Sequence, residues 1–199
     1  MVKVLDPGEG YDRYADMYIK DHRKLDSFDR PDFIQMVPDK VDVAVELGIG
    51  DGRISGEISR RATTFIGMDI SLNMLKHAAH RVPRAGLVLA DLSERLPLAD
   101  GQADLLVAAF YFVHIKDASL IIAEAARVLK AVGIFLFNLI PQRREPELKA
   151  GKQRFKIRSY YHSPPQVEKS LDYHWFNWDV TTISEGKGWI SKIYRCEKT

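Results

Sequence analysis

The sequence predicts an α/β fold with a doubly wound, mostly parallel sheet that carries helices on both faces. Short apolar segments rich in β-branched residues alternate with helical segments of about ten residues, which is typical of parallel strands joined by right-handed crossovers. An acidic residue lies at the carboxyl end of each of the first three apolar segments, and a glycine-rich turn follows the first one. Near the end of the chain, Tyr173 to Ile183 and Trp189 to Cys196 flank the residues EGKG, which predicts a terminal antiparallel hairpin.

Two helices are predicted before the first strand of the sheet. The first runs from Tyr11 to about Leu25, and the second begins at Pro31 and ends near Pro38. Aromatic residues at helical spacing on the first helix are interpreted as packing on the domain surface. The alternative is ligand contact, with the helix lying as a lid across the mouth of a pocket. These aromatic residues are Tyr11, Tyr14 and Tyr18.

The stretch VDVAVELGIGDG, Val41 to Gly52, predicts a buried strand that runs directly into a glycine-rich turn. Arg53 to Arg61 is predicted to be helical, so the turn presents exposed N–H groups at a helix start. Glycine allows unusual backbone angles and lets a ligand approach the main chain closely. Taken alone, such a turn is as consistent with an ordinary strand-to-helix connection as with a nucleotide or nucleoside pocket. Its glycines are Gly48, Gly50 and Gly52.

The next elements continue the alternation of strands and helices. Ser71 is the predicted N-cap of a helix that runs to about Arg81. A second helix is predicted over Ala118 to Lys130, after the largely apolar and therefore central fourth strand. The predicted strands are Thr63 to Ser71, Leu87 to Ala90, Ala103 to Phe112 and Gly133 to Ile140.

Three carboxylates, Glu46, Asp69 and Asp91, are predicted to converge on one crevice, because ligands of such sheets bind beyond the carboxyl ends of the strands. Asp69 lies 21 residues after Gly48, close to the spacing of about 20 expected for an acid that binds ribose hydroxyls. Asp91 suits an exocyclic amine of a base. A dinucleotide site favours G-x-G-x-x-G, whereas this chain has G-x-G-x-G after Glu46. The pattern therefore favours a cationic ligand over a pyrophosphate.

Residues 142–162 are strongly basic, with seven Lys and Arg against two Glu and a local net charge of +5. We interpret this stretch as a solvated, mobile loop. The alternative is a clamp for an anionic substrate. A short helix is predicted after it, from Pro164 to Leu171.

Composition sets broad limits on the class of protein. The chain has 199 residues, 46% hydrophobic and 28% charged, with a net charge of +2 and one cysteine. That charge gives no global reason to expect nucleic acid or a membrane as partner. Leu105 to Val113, the longest apolar run, is too short to span a bilayer, and the first ten residues lack the apolar core of a signal peptide. We expect a cytoplasmic protein without a membrane span.

Several of these segments together resemble the class I S-adenosylmethionine-dependent methyltransferases, in particular the type 11 subgroup that includes quinone-biosynthesis-like enzymes. The resemblance covers about residues 41–137 in the order and spacing of the family, and YDRYADMY looks like the lid helix of the subgroup. The usual Lys-Pro-Gly-Gly before the fifth strand is Lys-Ala-Val-Gly at residues 130–133. The segments that carry the resemblance are VELGIGDG, GMDIS, ADLSERLPLADG, DLLVAAFYFVHIKD and ARVLKAVGIFLF.

The resemblance implies a Rossmann-like methyltransferase fold, with a seven-stranded sheet whose last strand is antiparallel. It implies one domain over residues 1–199, with lid helices in 1–38, a cofactor-binding core in 41–140, and a substrate-side segment with the terminal hairpin in 141–199. The implied cofactor is S-adenosyl-L-methionine. Its methionine part is expected beside Glu46, Gly48 and Gly50, its ribose on Asp69, its adenine by Ile70, Asp91 and Leu92, and its sulfonium opposite the segment that starts at Phe110.

Methyl transfer from a sulfonium needs a base only when the acceptor must lose a proton. His114, after the fourth strand, is the first candidate, and a structural role is the alternative. His162 is the second candidate. The six histidines show no metal-ligand spacing, so no metal is expected.

The leading hypothesis is therefore a methyltransferase for a small-molecule substrate. One alternative is an enzyme that methylates nucleic acid or protein and uses the basic residues 143–158. Another is a cofactor-binding protein without catalysis. An NAD-dependent oxidoreductase is the alternative that Glu46 and the glycine spacing argue against.

Overall fold

A computed structural model describes residues 2–21, 28–186 and 189–199, which are organised around a seven-stranded sheet. The strand order across this sheet is β4-β3-β2-β5-β6-β10-β9. The strands β4, β3, β2, β5 and β6 are parallel, and β10 is antiparallel to both of its neighbours. The strands are β2 (Val41–Leu47), β3 (Ala62–Asp69), β4 (Gly86–Leu89), β5 (Ala103–Ala108), β6 (Leu129–Leu139), β9 (Phe176–Glu185) and β10 (Trp189–Lys198).

Helices cover both faces of the sheet, as the doubly wound prediction requires. The helices are α1 (Pro7–Asp21), α2 (Arg30–Met36), α3 (Ser55–Arg61), α4 (Leu72–Arg81), α5 (Ala118–Val128) and α6 (Pro164–Tyr173). Apolar side chains of α5 and α6 form one core with one face of the strands. Side chains of α2, α3 and α4 form a second core with the opposite face. The predicted α/β class, the terminal hairpin and its antiparallel last strand are confirmed. None of the helices in the described ranges has the length and apolar character needed to cross a bilayer.

The chain reverses its direction of travel across the sheet beside β2. Strands β3 and β4 follow β2 on one side, whereas β5 and β6 extend the sheet on the other. The carboxyl ends of β2, β3 and β5 therefore border the switch point where ligands of such sheets bind.

Two predicted strand boundaries were wrong by four residues, and the terminal hairpin begins at Phe176 rather than at Tyr173, which belongs to α6. The fourth strand ends at Ala108 rather than Phe112, because Phe110 has φ +55° and Phe112–His114 forms a 3₁₀ turn. The fifth strand begins at Leu129 rather than Gly133, and its register with β5 shifts beside Val132, which has φ +56°. Both four-residue errors arise where the backbone leaves ordinary strand geometry, which the apolar pattern does not reveal.

The N-terminal segment differs from its prediction in two ways. Helix α1 begins at Pro7, four residues before the predicted start, and is preceded by a short strand, β1 (Lys3–Leu5). The predicted end of this helix near Leu25 lies outside the described residues. The second helix covers Arg30–Met36, close to its prediction.

The basic stretch contains a hairpin where we expected a loop, whereas most of its basic side chains are exposed to solvent as expected. Strands β7 (Glu147–Ala150) and β8 (Gln153–Ile157) pair with each other, and β8 also pairs with β1. Phe155 and Ile157 are buried and pack with Tyr14 of α1 and Leu5 of β1. The basic residues alternate with these apolar ones, which is the period of a half-buried strand. The small sheet β1-β8-β7 therefore supports α1 from one side.

Candidate functional site

A cavity of about 740 Å³ lies at the switch point of the sheet. Its walls come from the glycine turn after β2, the ends of β3 and β4, and the segment that follows β5. Helix α1 and the residues after β8 close the remaining side, contributing Tyr11, Tyr18, Arg158 and Tyr160. Tyr11 and Tyr18 pack against the apolar cluster around Tyr14, as interpreted from the sequence, and they also line the cavity.

The glycine turn forms part of the cavity wall with its bare backbone. Gly48 and Gly50 have φ +65° and +56° and line the cavity. A Cβ atom added to Gly48 would lie 2.9 Å from Cδ2 of Tyr111, and one added to Gly50 would lie 3.4 Å from Cε of Met74. The sequence therefore needs glycine here both for the left-handed backbone and for space.

Asp69 is the carboxylate most firmly fixed at the edge of this cavity. Its Oδ2 accepts the Gly50 N–H at 2.8 Å, and its Oδ1 accepts the Ser71 N–H at 2.8 Å. The side chain is 7% exposed, and burial raises the pKa of Asp69 while these main-chain N–H donors oppose the rise. A carboxylate has about four lone-pair positions, so each oxygen retains capacity to accept a bond from a ligand hydroxyl.

The neighbouring strand ends bring three more predicted residues to the same cavity. Ile70, Asp91 and Leu92 all line it. Asp91 is exposed, and its Oδ1 accepts the Ser93 N–H at 2.9 Å, while the main-chain oxygen of Leu92 accepts a bond from Tyr111 Oη at 2.7 Å. An apolar side chain and an exposed carboxylate therefore face the space next to Asp69.

Phe110 lines the cavity from a strained backbone held by residues that the sequence analysis missed. Its N–H donates to Asn138 Oδ1 at 2.6 Å, and the guanidinium of Arg53 lies 5.4 Å from the centroid of its ring. Asn138 is buried and donates to Ser191 Oγ at 2.8 Å and to Asp29 Oδ2 at 3.3 Å. The sequence signal for this contact with Phe110 is a polar asparagine within the apolar segment GIFLFNLI. The partners of Asn138 are distant in the chain and could not be read from the local pattern.

Glu46 does not belong to the described lining of the cavity. The pleat of β2 directs it to the face covered by α3, where its Oε2 accepts a 2.6 Å hydrogen bond from Ser55 Oγ. Burial raises the pKa of Glu46 to about 8, although Ser55 and Arg53 oppose the rise. Glu46 therefore lies beneath the turn in the structure, and its expected contact with the methionine part of the ligand remains a prediction.

Replacing Glu46 by glutamine is expected to change how stability depends on pH. The folded-state pKa of about 8 lies above the ordinary value of 4.5, so the folded state holds this proton more tightly than the unfolded state does. Wild-type stability should then fall as pH rises from about 4.5 to about 8, and Glu46→Gln should lack this component. Urea denaturation at intervals across this range measures it. Parallel stability curves for the two proteins would contradict the assignment.

The two candidate histidines occupy different environments. His114 lines the cavity, with Nε2 2.7 Å from Tyr11 Oη and Nδ1 2.8 Å from the Arg158 carbonyl oxygen. His162 places Nε2 3.0 Å and 2.8 Å from the carbonyl oxygens of Phe112 and Ile115. Two carbonyls on one ring nitrogen fix it as a donor, which is a structural role. Of the two, the structure brings only His114 to the described cavity.

Comparison with known proteins finds similarity to methyltransferases. The family described as "Methyltransferase domain" matches residues 45–137. A malonyl-[acyl-carrier protein] O-methyltransferase from a Marinomonas species is 31% identical over 70% of this chain and 51% of the relative. A demethylmenaquinone methyltransferase from Corynebacterium kroppenstedtii is 37% identical over 45% of this chain and 38% of the relative. The chain thus spans about half of the first relative and 38% of the second.

A solved structure resembles almost the whole chain. It is a SAM-dependent methyltransferase from Thermotoga maritima, described as a possible histamine N-methyltransferase. It has a TM-score of 0.72 and 17% identity and covers 96% of this chain and 99% of its own. At that identity the likeness concerns the fold, which is the one predicted for the sheet.

Proposed function

Because the chain belongs to the class I S-adenosylmethionine-dependent methyltransferase family, we propose that it binds S-adenosyl-L-methionine in the cavity and methylates a small molecule there. The observation that carries this proposal is the meeting of the bare glycine turn with Asp69 and Asp91 in one cavity. The donor supplies a methyl group on a positively charged sulfur. The protein's task is then to hold donor and acceptor in line, which can lower a barrier by roughly 7–11 kcal/mol.

The residues present suit an adenosyl ligand. The free lone pairs of Asp69 suit a pair of ribose hydroxyls, and the exposed carboxylate of Asp91 suits the adenine amine. Ile70 and Leu92 border the adenine, and the backbone of Gly48 and Gly50 lies against the methionine part. Phe110, fixed by Asn138, faces the sulfonium. Glu46 supports the turn through Ser55.

The size and enclosure of the cavity support a small-molecule acceptor. A volume of about 740 Å³ lies within the roughly 300–1,000 Å³ typical of ligand sites, and α1 covers its mouth. The basic hairpin offers less to nucleic acid than its composition suggests, since Arg154 pairs with Glu147 at 3.0 Å and Arg158 approaches Asp6 at 3.5 Å. The two relatives are named for different acceptors, a malonyl-[acyl-carrier protein] and a demethylmenaquinone, so their names do not select one for this chain.

Methyl-labelled S-adenosylmethionine incubated with a cell extract tests the proposal. We expect label in a small organic molecule that mass spectrometry can identify, and much less of it when an Asp69→Asn variant replaces the wild-type protein at a limiting concentration of the donor. Label in the protein or nucleic-acid fraction would support the alternative that uses the basic hairpin. Tight binding of the cofactor with no labelled product would support a binding protein without catalysis.

A further inference from the structure

Resting on the proposed function, we propose that Tyr11 and His114 form a proton-relay pair that prepares an aromatic or enolic hydroxyl as the methyl acceptor. The pair joins α1 to the segment after β5 across the cavity, and both residues line it. Their rings are perpendicular within 3°, with an interplanar angle of 87° and centroids 5.2 Å apart. The hydroxyl of Tyr11 lies 2.7 Å from Nε2 of His114.

The hydrogen bond that Nδ1 of His114 makes determines which atom donates in the bond between Nε2 and Tyr11. Nδ1 of His114 lies 2.8 Å from the carbonyl oxygen of Arg158, which can only accept. Nδ1 therefore carries the proton in the neutral ring, and Nε2 is left with a lone pair. Tyr11 donates to that lone pair, so the hydroxyl oxygen of Tyr11 keeps its own lone pairs for a proton from another molecule. The two hydrogen bonds are thus oriented so that a proton can pass from the cavity through the Tyr11 hydroxyl to Nε2 of His114.

Burial keeps both groups in the neutral forms that this path requires. It lowers the pKa of His114 and raises the pKa of Tyr11 well above its ordinary value. The groups that act on Tyr11 are Tyr14 and Tyr18 of α1 and Asp69 of β3, which add to the rise. Arg158, which supplies the carbonyl to His114, directs its guanidinium towards Asp6, with 3.5 Å between Nε and Oδ1. Lys116 and Asp117 of the segment after the 3₁₀ turn line the same cavity.

The proposed step is balanced in atoms and charge. The acceptor hydroxyl passes its proton to the Tyr11 oxygen while the Tyr11 proton moves to Nε2 of His114. The acceptor oxygen forms a bond to the methyl carbon, and the carbon–sulfur bond breaks with its electron pair going to sulfur. A neutral hydroxyl, a sulfonium and a neutral imidazole thus become a methyl ether, a thioether and an imidazolium whose Nδ1–H still faces the Arg158 carbonyl.

The same arrangement selects a class of acceptor. A carboxylic acid is already ionised near neutral pH and needs no base. Hydroxyls on aromatic rings or enols have pKa values near the ordinary value of tyrosine, about 10, so they are protonated near neutral pH and must lose that proton during transfer. Several lining side chains suit a planar apolar group rather than a flexible polar one. They are Phe110, Tyr111, Ile115, Leu120 and Tyr160.

A coloured phenol can report the relay without any methyl transfer. We would titrate 4-nitrocatechol with pH by visible absorbance in the presence of the protein and S-adenosylhomocysteine. The bound phenol is expected to ionise about one pH unit lower or more on the wild-type protein than on Tyr11→Phe or His114→Asn. Asparagine at 114 can keep a donor to the Arg158 carbonyl while removing the nitrogen that faces Tyr11. Tyr161→Phe, where the Tyr161 ring lies under the Arg143 guanidinium outside the described lining of the cavity, is the matched control and should behave as wild type.

Methyl transfer to matched acceptors completes the test. With S-adenosylmethionine, at a pH low enough that free 4-nitrocatechol is still protonated, we expect methylation of 4-nitrocatechol but not of 4-nitrobenzoate, with kcat lowered roughly 100-fold in both relay variants and cofactor affinity unchanged. Relay variants within threefold of wild type, identical ionisation curves, transfer to the carboxylate alone, or transfer to neither probe would each overturn the relay or its acceptor class. Loss of S-adenosylmethionine binding by the wild-type protein would instead overturn the proposed function on which the inference rests.

Discussion

Replacing Gly50 by valine is expected to abolish cofactor binding, with a loss of affinity of roughly 100-fold or more, or about 2.7 kcal/mol. Gly50 lines the cavity at φ +56°, and its Cβ position is already 3.4 Å from Met74 Cε. The two additional methyl groups of valine would occupy the space in which the donor must approach the main chain. Calorimetric titration with S-adenosylmethionine measures the effect.

Gly101→Val provides the matched control for this substitution. Gly101 has φ +60°, and no atom lies within 4 Å of its Cβ position. Both variants therefore carry a β-branched residue on a left-handed backbone, a strain of roughly 1–3 kcal/mol, but only Gly50→Val alters the cavity. Equal affinities in the two folded variants would mean that the turn is not part of the cofactor site.

Asp69→Asn is expected to weaken binding of S-adenosylmethionine by about 1.5–3 kcal/mol, the range for a hydrogen bond to a charged group. The amide removes the charge and turns an NH₂ group towards either Gly50 N–H or Ser71 N–H, both of which now donate to the carboxylate. The variant should therefore lose hydrogen bonds to the ribose hydroxyls and also one of the main-chain hydrogen bonds that hold the glycine turn or the start of α4. Calorimetry gives the affinity, and urea denaturation gives the accompanying loss of stability.

Asp104→Asn separates these two effects. Asp104 also accepts a main-chain N–H, from Val43 at 2.8 Å, and it pairs with Lys130. It lies near the amino-terminal end of β5, outside the described lining of the cavity. We expect this variant to lose stability and to keep its cofactor affinity. If both variants bound the cofactor equally well, Asp69 would have only a structural role.

The sequence could predict those parts of the molecule that depend on neighbouring residues. Ser71 is the N-cap of α4 and accepts the Met74 N–H, and Asp69 ends β3 where the spacing from Gly48 predicted an acid. These features are local because capping and strand ends are determined by a few consecutive side chains. The glycine turn at Gly48 and Gly50 is equally local, although its spacing alone was as consistent with an ordinary strand-to-helix connection as with a pocket.

The remaining features depend on contacts between residues far apart in the chain. Tyr11 meets His114 across 103 positions, and Asn138 meets Asp29 across 109. Nothing in the local pattern links such pairs. The side-chain position of Glu46 also depends on distant elements, since the pleat of β2 and the position of α3 decide which face it occupies.

Calorimetric titration of the wild-type protein with S-adenosylmethionine, beside a parallel titration with NAD, tests the central claim most directly. We expect saturable binding of S-adenosylmethionine with thermal stabilisation of the protein, and neither heat nor stabilisation from NAD. No heat and no thermal stabilisation with millimolar S-adenosylmethionine, or a preference for NAD, would contradict the assignment of this cavity to the adenosyl donor.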